Sequence, residues 1–394
     1  MAVILFDDQS RESLFPLTFT RPVADLRIGI LTISKKWEHY FQQESSYLTK
    51  DYLQIKYPTL IQAQNIFING SVLPNKSLLE AIDALKEAEL LIKDDIILAI
   101  KLAETDAKTF NLHDLGKYAK VNFEGAFTKL AYPEDIFKYN DQEIRADFDL
   151  LTKNRTSATL SNTNTIIGER IFIEEGVEAE CSSFNTKNGP IYLGKNAQVW
   201  EGTHIRGSFA LCHDSQVKMG GKIYGGTTIG PYCRVGGEIN NAVIWGRSSK
   251  GHDGYLGNAV VGEWCNIGAD SNNSNLKNNY DEVKLWDYNS QRFRKTGLQF
   301  CGLIMADHAK CGINTMFNTG TVVGVSANVF GAGFPRNFVP DFAWGGAHGF
   351  EVYQLKKMFI TAEEVFKRRD HIFNDVEKDI LTHIFNYTEA YRRF

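Results

Sequence analysis

The sequence predicts an α/β domain, then a solenoid of short parallel strands, then a closing helix. Leu193, Val199, Ile205, Leu211, Val217, Ile223, Ile229 and Val235 stand at strict six-residue intervals, a period that neither a helix nor a two-faced strand produces. Residues 1 to about 150 lack it and alternate apolar runs with helical stretches, the pattern of layered α/β structure. The tail changes again, with Ile372, Val376, Ile380 and Ile384 at helical spacing.

In the first part, Ala2–Phe6, 66–68 and 96–100 are apolar runs suited to buried strands. The stretches 34–43 and 77–90 read as helices with Ser34 and Ser77 as N-caps. Alternation of this kind predicts a parallel sheet. A further helix, 133–153, joins the two parts, and the Ser/Thr/Asn-rich stretch 154–165 marks the boundary. The expected division is therefore 1–153, 154–350 and 351–394.

In the solenoid, each aliphatic residue plugs the core of a coil. A small residue four positions on (Ala197, Thr203, Ser215, Gly221, Thr227, Cys233) lets the chain turn a corner. Six or so coils at about 4.8 Å each make a prism. The frame breaks after Val235 and again between Asp270 and Gln299. Inserted residues leave a coil as loops, and loops on a rigid stack are where chemistry is held. The residues at the breaks are polar, from Arg247 through Lys250, His252 and Tyr255, then Asn266 and the asparagine-rich 270–279. In the tail, Thr361 to Glu364 reads as a capping box opening a helix. That helix covers the last coil and its open strand edge, or docks a partner.

Net charge is −4, from 47 acidic and 43 basic residues. That leaves no broad basic field for nucleic acid. No apolar run is long enough for a membrane, and the first residues lack a signal-peptide pattern. The six cysteines have no C-x-x-C pair and include plug and corner positions, which reads as reduced, packed thiols. A cytoplasmic protein is the expectation.

The run from Ser249 through His252, Tyr255 and Asn258, followed by Val261 to Ala269 and then Asn275, resembles a known family. It is similar to the acetyltransferase half of the bifunctional UDP-N-acetylglucosamine pyrophosphorylase/glucosamine-1-phosphate N-acetyltransferases. That resemblance implies a left-handed parallel β-helix of hexapeptide repeats, a homotrimer, and acetyl-coenzyme A lying between neighbouring subunits. It implies a role in UDP-N-acetylglucosamine formation for cell-wall or glycan synthesis. Arg11 to Pro22 resembles the same family's sugar-nucleotidyltransferase signature, but Phe6 to Ser10 fills the place of its glycine-rich loop. Ser71 stands where a metal-binding Asp is expected, so Mg²⁺ follows only if this domain is active. Asp7 and Asp8 are the candidates for it.

Acetyl transfer to an amine needs a base, an oxyanion donor and exclusion of water. His252 suits the first need, because imidazole titrates near working pH. Tyr255 donates to the oxyanion or holds the sugar phosphate, and the backbone amide near Ala269 is another oxyanion candidate. By the resemblance, Asn266 and Asn275 hold the sugar and orient the histidine, and Arg234, Arg247 and Lys250 meet the 1-phosphate. Gly236 replaces the family's second Arg, and the loop before His252 is shorter. Both departures leave open a nucleotide-linked amino sugar as acceptor. A non-catalytic sugar-nucleotide-binding scaffold is the third reading. Arg11 and Arg21 bind a nucleotide phosphate or pair with Asp7, Asp8 or Asp25.

Overall fold

The computed structural model describes residues 1–394. The chain forms two compact units, Met1–Leu26 with Leu31–Tyr132, and Arg27–Ile30 with Pro133–Phe394.

The first unit is built on a six-stranded sheet. Ala2–Phe6 pairs in parallel with Ser45–Leu48 and with Gln64–Asn69. Beyond them the expected parallel order fails: Ile96–Ala103 runs antiparallel to both Gln64–Asn69 and Glu89–Lys93. The reason is local. Asp94 and Asp95 both take positive φ (50° and 62°), and such a two-residue turn returns the chain as a hairpin. The helix Ile33–Phe41 is capped by Thr32, whose side chain accepts from the Lys35 amide, and Lys76–Ala84 by Asn75, which accepts from Leu78. Ser34 and Ser77, expected as caps, lie inside the helices.

The second unit is a parallel β-solenoid with three faces. Face A runs from Ile171–Ile173 through Ile191–Leu193 and Phe209–Leu211 to Phe338–Val339. Face B runs from Glu178–Ala179 through Gln198–Val199, Gln216–Val217 and Arg234–Val235 to Ala343–Gly346. Face C runs from Thr165–Ile167 through His204–Arg206 and Lys222–Ile223, and Asn272–Asn273 continues it against Met316–Phe317. All eight periodic residues point inward at 2% exposure or less. Burying each stabilises by about 1.5–3 kcal/mol. Face B alone counts nine parallel strands, more than the six coils expected.

The two frame breaks differ in kind. Val235 pairs with Lys250 only fifteen residues on, where Val217 and Val235 are eighteen apart. The first break is therefore a shortened coil, not an inserted loop: Glu238–Ile244 and Tyr255–Val261 run as single strands around the corner from face C to face A. The second is an insertion. Ile267 pairs with Cys311, and between them the chain leaves as the hairpin Lys284–Asp287 with Arg292–Lys295.

The helix Glu134–Thr152 belongs to this unit. Its Ile144 and Phe148 pack on the outward face A residues Phe172, Tyr192 and Ala210, and Asn140 donates to the Gly226 carbonyl at 2.7 Å. The sequence reading had placed it with residues 1–153. At the other end, Leu355–Lys367 and Asp375–Tyr387 are helices. Thr361 lies inside the first, and Asn374, accepting from Glu377, caps the second. Ile372 precedes that second helix, exposed. Both helices pack along the A–B corner, Phe366 stacking on Trp264 at 3.8 Å and Phe385 meeting Phe342 at 5.1 Å. The edge strand Ala343–Gly346 is closed by an antiparallel partner, Gly349–Val352, so a hairpin rather than a helix does the blunting on face B.

Candidate functional site

The predicted site residues fall into three groups around the shortened coil. The first is at the corner from face B to face C. A cleft of about 300 Å³ is lined there by Lys218, Gly236, His252, Asp253, Ala269 and Asp270. The His252 side chain is exposed and makes no hydrogen bond within the chain. The Ala269 carbonyl accepts from Asn314, while its N–H donates to nothing. Base and oxyanion donor candidates thus share one cleft. Gly254 holds the turn after His252 at φ 110°, where a Cβ would stand 2.2 Å from the Ser271 carbonyl oxygen, so only glycine fits.

Lys250 does not face this cleft as a phosphate ligand would. It occupies the plug position between Val235 and Ile267, 2% exposed. Its Nζ donates to the carbonyls of His252 at 2.7 Å and Asp253 at 3.2 Å. Burial pushes the ammonium down to about 8, against weaker opposing pulls from Asp253 and Asp270. The residue expected at the 1-phosphate is instead a buried pin that holds the His252 corner from inside.

The second group lies on face C and the corner beyond it. The Tyr255 hydroxyl accepts from Asn275 Nδ2 at 2.9 Å, and the same Nδ2 donates to Asn258 at 2.8 Å. Burial raises the Tyr255 pKa, with Asn240 and Asn275 pulling the other way as donors. The phenol therefore keeps a proton to give outward. Asn272 and Asn273 serve the backbone: they accept from the Tyr255 and Gly257 amides, closing face C where the insertion interrupts the ladder.

The third group is on face B and its corner with face A. Arg234 and Asn266 point outward on either side of Ser249 in the ladder, both exposed. Arg247 sits at the A–B corner with its guanidinium 4.9 Å from the Tyr232 ring and 5.2 Å from the Trp264 ring. Sequence reading missed Arg369 and His371, which come from the segment between the C-terminal helices. Arg369 donates to the Tyr232 carbonyl at 2.9 Å and Ser249 Oγ at 3.1 Å; Arg247 Nη2 lies 2.7 Å from His371 Nε2. The only signal in the sequence was a basic cluster, Arg368, Arg369 and His371, interrupting two helical stripes.

Gly236 has a geometric reason. A Cβ there would lie 2.9 Å from the Gly251 carbonyl oxygen. The shortened coil brings that backbone close, so the family's second Arg has no room.

In the first unit, a cleft of about 420 Å³ is lined by Asp7, Asp8, Arg11, Lys50, Asn69 and Lys129, among others. Asp7 accepts from Arg11 (3.0 Å), the Val23 amide (2.8 Å) and Thr49; Asp8 accepts from Lys129 (2.7 Å), Asn69 (2.9 Å) and Ser10. Burial dominates at Asp7 and raises its pKa. At Asp8 burial also raises it, but Lys129 and the donors outweigh that and lower it. With cations and donors on every carboxylate oxygen, this pair does not fit Mg²⁺ as arranged. Arg11 is buried and also holds Arg21 O and Tyr52. Arg21 pairs with Asp25 at 3.3 Å. Of the two roles open to these arginines, pairing with carboxylates is present. Lys129, far along the chain, was not legible as part of this cleft.

Residues 3–156 match the family model of a sugar nucleotidyl transferase. No curated protein sequence matches the chain. Among solved structures, the chain is similar to an Arabidopsis UDP-N-acetylglucosamine acyltransferase (16% identity, 59% of this chain and 91% of that one, TM-score 0.23). It is similar also to the Campylobacter jejuni UDP-N-acetylglucosamine acyltransferase (11%, 59% and 83%, 0.30). A third is AntD, an N-acyltransferase from Bacillus cereus, in complex with dTDP and coenzyme A (10%, 53% and 87%, 0.20). At these scores none bears on the activity, and the solenoid rests on its own strand ladders. No helix is long and apolar enough to cross a membrane. The chain thus joins a segment matching the sugar nucleotidyl transferase model to a parallel β-solenoid with a C-terminal helical extension.

Proposed function

We propose that the solenoid is an N-acetyltransferase that moves acetyl from acetyl-coenzyme A to an amino-sugar phosphate. The observation that carries this reading is the B–C corner cleft, which His252 and Ala269 line together, with the His252 side chain exposed and the Ala269 N–H without an acceptor in the chain. His252 takes a proton from the acceptor's nitrogen as that nitrogen attacks the thioester carbonyl; the C–N bond forms and the C–S bond breaks. The Ala269 N–H donates to the oxyanion of the tetrahedral intermediate. The departing thiolate takes up the proton. By the resemblance, Tyr255, held by Asn275, donates to the sugar, and Asn266 holds it as well. His252 has no orienting partner within one chain, which favours a homotrimer whose neighbouring subunit completes the site.

A second acceptor, a nucleotide-linked amino sugar, is favoured by two findings: Gly236 has no room for the family's second Arg, and Lys250 faces inward. The match of residues 3–156 supports a sugar-nucleotide setting. In the first unit, nucleotidyl transfer for UDP-N-acetylglucosamine formation is the corresponding proposal, with its metal site unassigned. A cytoplasmic location fits both substrates. A thiol-release assay with acetyl-coenzyme A and competing acceptors tests the reading. Release with glucosamine 1-phosphate or a nucleotide-linked amino sugar supports it and picks the acceptor. Silence across both leaves the non-catalytic scaffold.

A further inference from the structure

We propose that Arg234, Arg247 and Arg369 form a binding site for a phosphate group, shared between face B of the solenoid and the segment joining the two C-terminal helices. The three residues come from three separate parts of the chain and meet around Tyr232 and Ser249. The A–B corner stacks Tyr232, Arg247 and Trp264 in successive coils, each with positive φ. The Arg247 guanidinium is thereby sandwiched between two rings, which fixes its plane. Arg369 grips the Tyr232 carbonyl and Ser249 Oγ, and Ser249 is the ladder neighbour of Arg234.

None of the three forms an ion pair with a carboxylate. Arg247 Nη2 reaches the His371 ring nitrogen, which accepts in its neutral form, and Arg247 Nε is buried without a partner. The Arg234 side chain makes no hydrogen bond or ion pair within the chain and stays exposed. Three guanidiniums gathered this way repel one another. Burial, then Arg234 and Arg247, hold Arg369 below the usual arginine value. A structural role needs one arginine to tie the helical segment down, and it would not gather two more without an acid. A phosphate brings the missing charge, and its oxygens match the planar donor forks.

The ligand is a phosphate-bearing one, either the acetyl donor's nucleotide phosphates or the acceptor's phosphate. Capture of phosphate rests on the cluster alone; only its assignment to donor or acceptor rests on the acetyl-transfer reading. Calorimetry on the full chain at low salt, with pyrophosphate, adenosine 3′,5′-bisphosphate and glucosamine 1-phosphate as probes, tests it without turnover. At least one probe is expected to bind, and to weaken tenfold or more in Arg369→Gln and in Arg234→Gln. Arg234→Gln removes no hydrogen bond or ion pair within the chain, so it stays informative if Arg369→Gln unfolds the helical segment. Preference for the adenosine bisphosphate assigns the site to the donor, and preference for the sugar phosphate to the acceptor. Unchanged affinity in both variants, or no binding of any probe, overturns the proposal.

Discussion

Lys250 is the residue whose placement departs furthest from its sequence reading. It looked like a loop cation and is a core plug. The six-residue frame is lost there because the coil is short: after Val235 the inward residues come at Ile239 and Ile244 before Lys250, and the last of them is polar. The unfolded chain titrates this lysine near its usual 10.5 and the folded chain at about 8. The folded state therefore holds fewer protons between those values, and stability rises with pH across that window. Below about 8 the group is charged in both states and its burial costs about 3 kcal/mol. Lys250→Met is predicted to remove that rise. Denaturant midpoints at pH 7 and pH 10 check it: wild type should gain on the variant at the higher pH, and parallel behaviour would refute the buried pin. His252, Tyr255 and Asn275 stand out as candidates in the sequence because a dense local motif carries them. Arg369 was not, because it meets Ser249 across 120 residues of sequence.

Among elements, the coils were legible wherever plugs were aliphatic. The outward side chains of face A also carried a signal: Ile-Phe-Ile and Ile-Tyr-Leu are apolar on both sides of the strand, as a covered face requires. The helix Glu134–Thr152 is that cover. The Leu355–Lys367 helix depends on Phe366, 4% exposed and stacked on Trp264. Phe366→Ala is expected to cost about 3–5 kcal/mol locally. Hydrogen exchange should quicken at residues 368–371 and stay slow in the coils from 191 to 235. Equal quickening in both would mean that the helix supports the solenoid as a whole. A calorimetric titration on the same variant should show weaker phosphate binding, because Arg369 loses its anchor.

At the scale of the whole molecule, the order α/β unit, solenoid, helical tail was readable from period and composition. Chain pairing in the first sheet was not, because a two-residue turn at Asp94 and Asp95 decides it. Assembly leaves a weaker trace. The His252 imidazole has no partner within one chain, and a catalytic base is normally oriented by one. Light scattering should accordingly give the mass of three 44.5 kDa chains; a monomer would remove the shared site from the account. The central claim is acetyl transfer by His252, and the most direct test is thiol release from acetyl-coenzyme A by wild type and His252→Ala, with glucosamine 1-phosphate and a nucleotide-linked amino sugar as acceptors. The account predicts turnover with one of them and a loss of about 10²–10⁴-fold in the variant. Equal rates in the two proteins would contradict it.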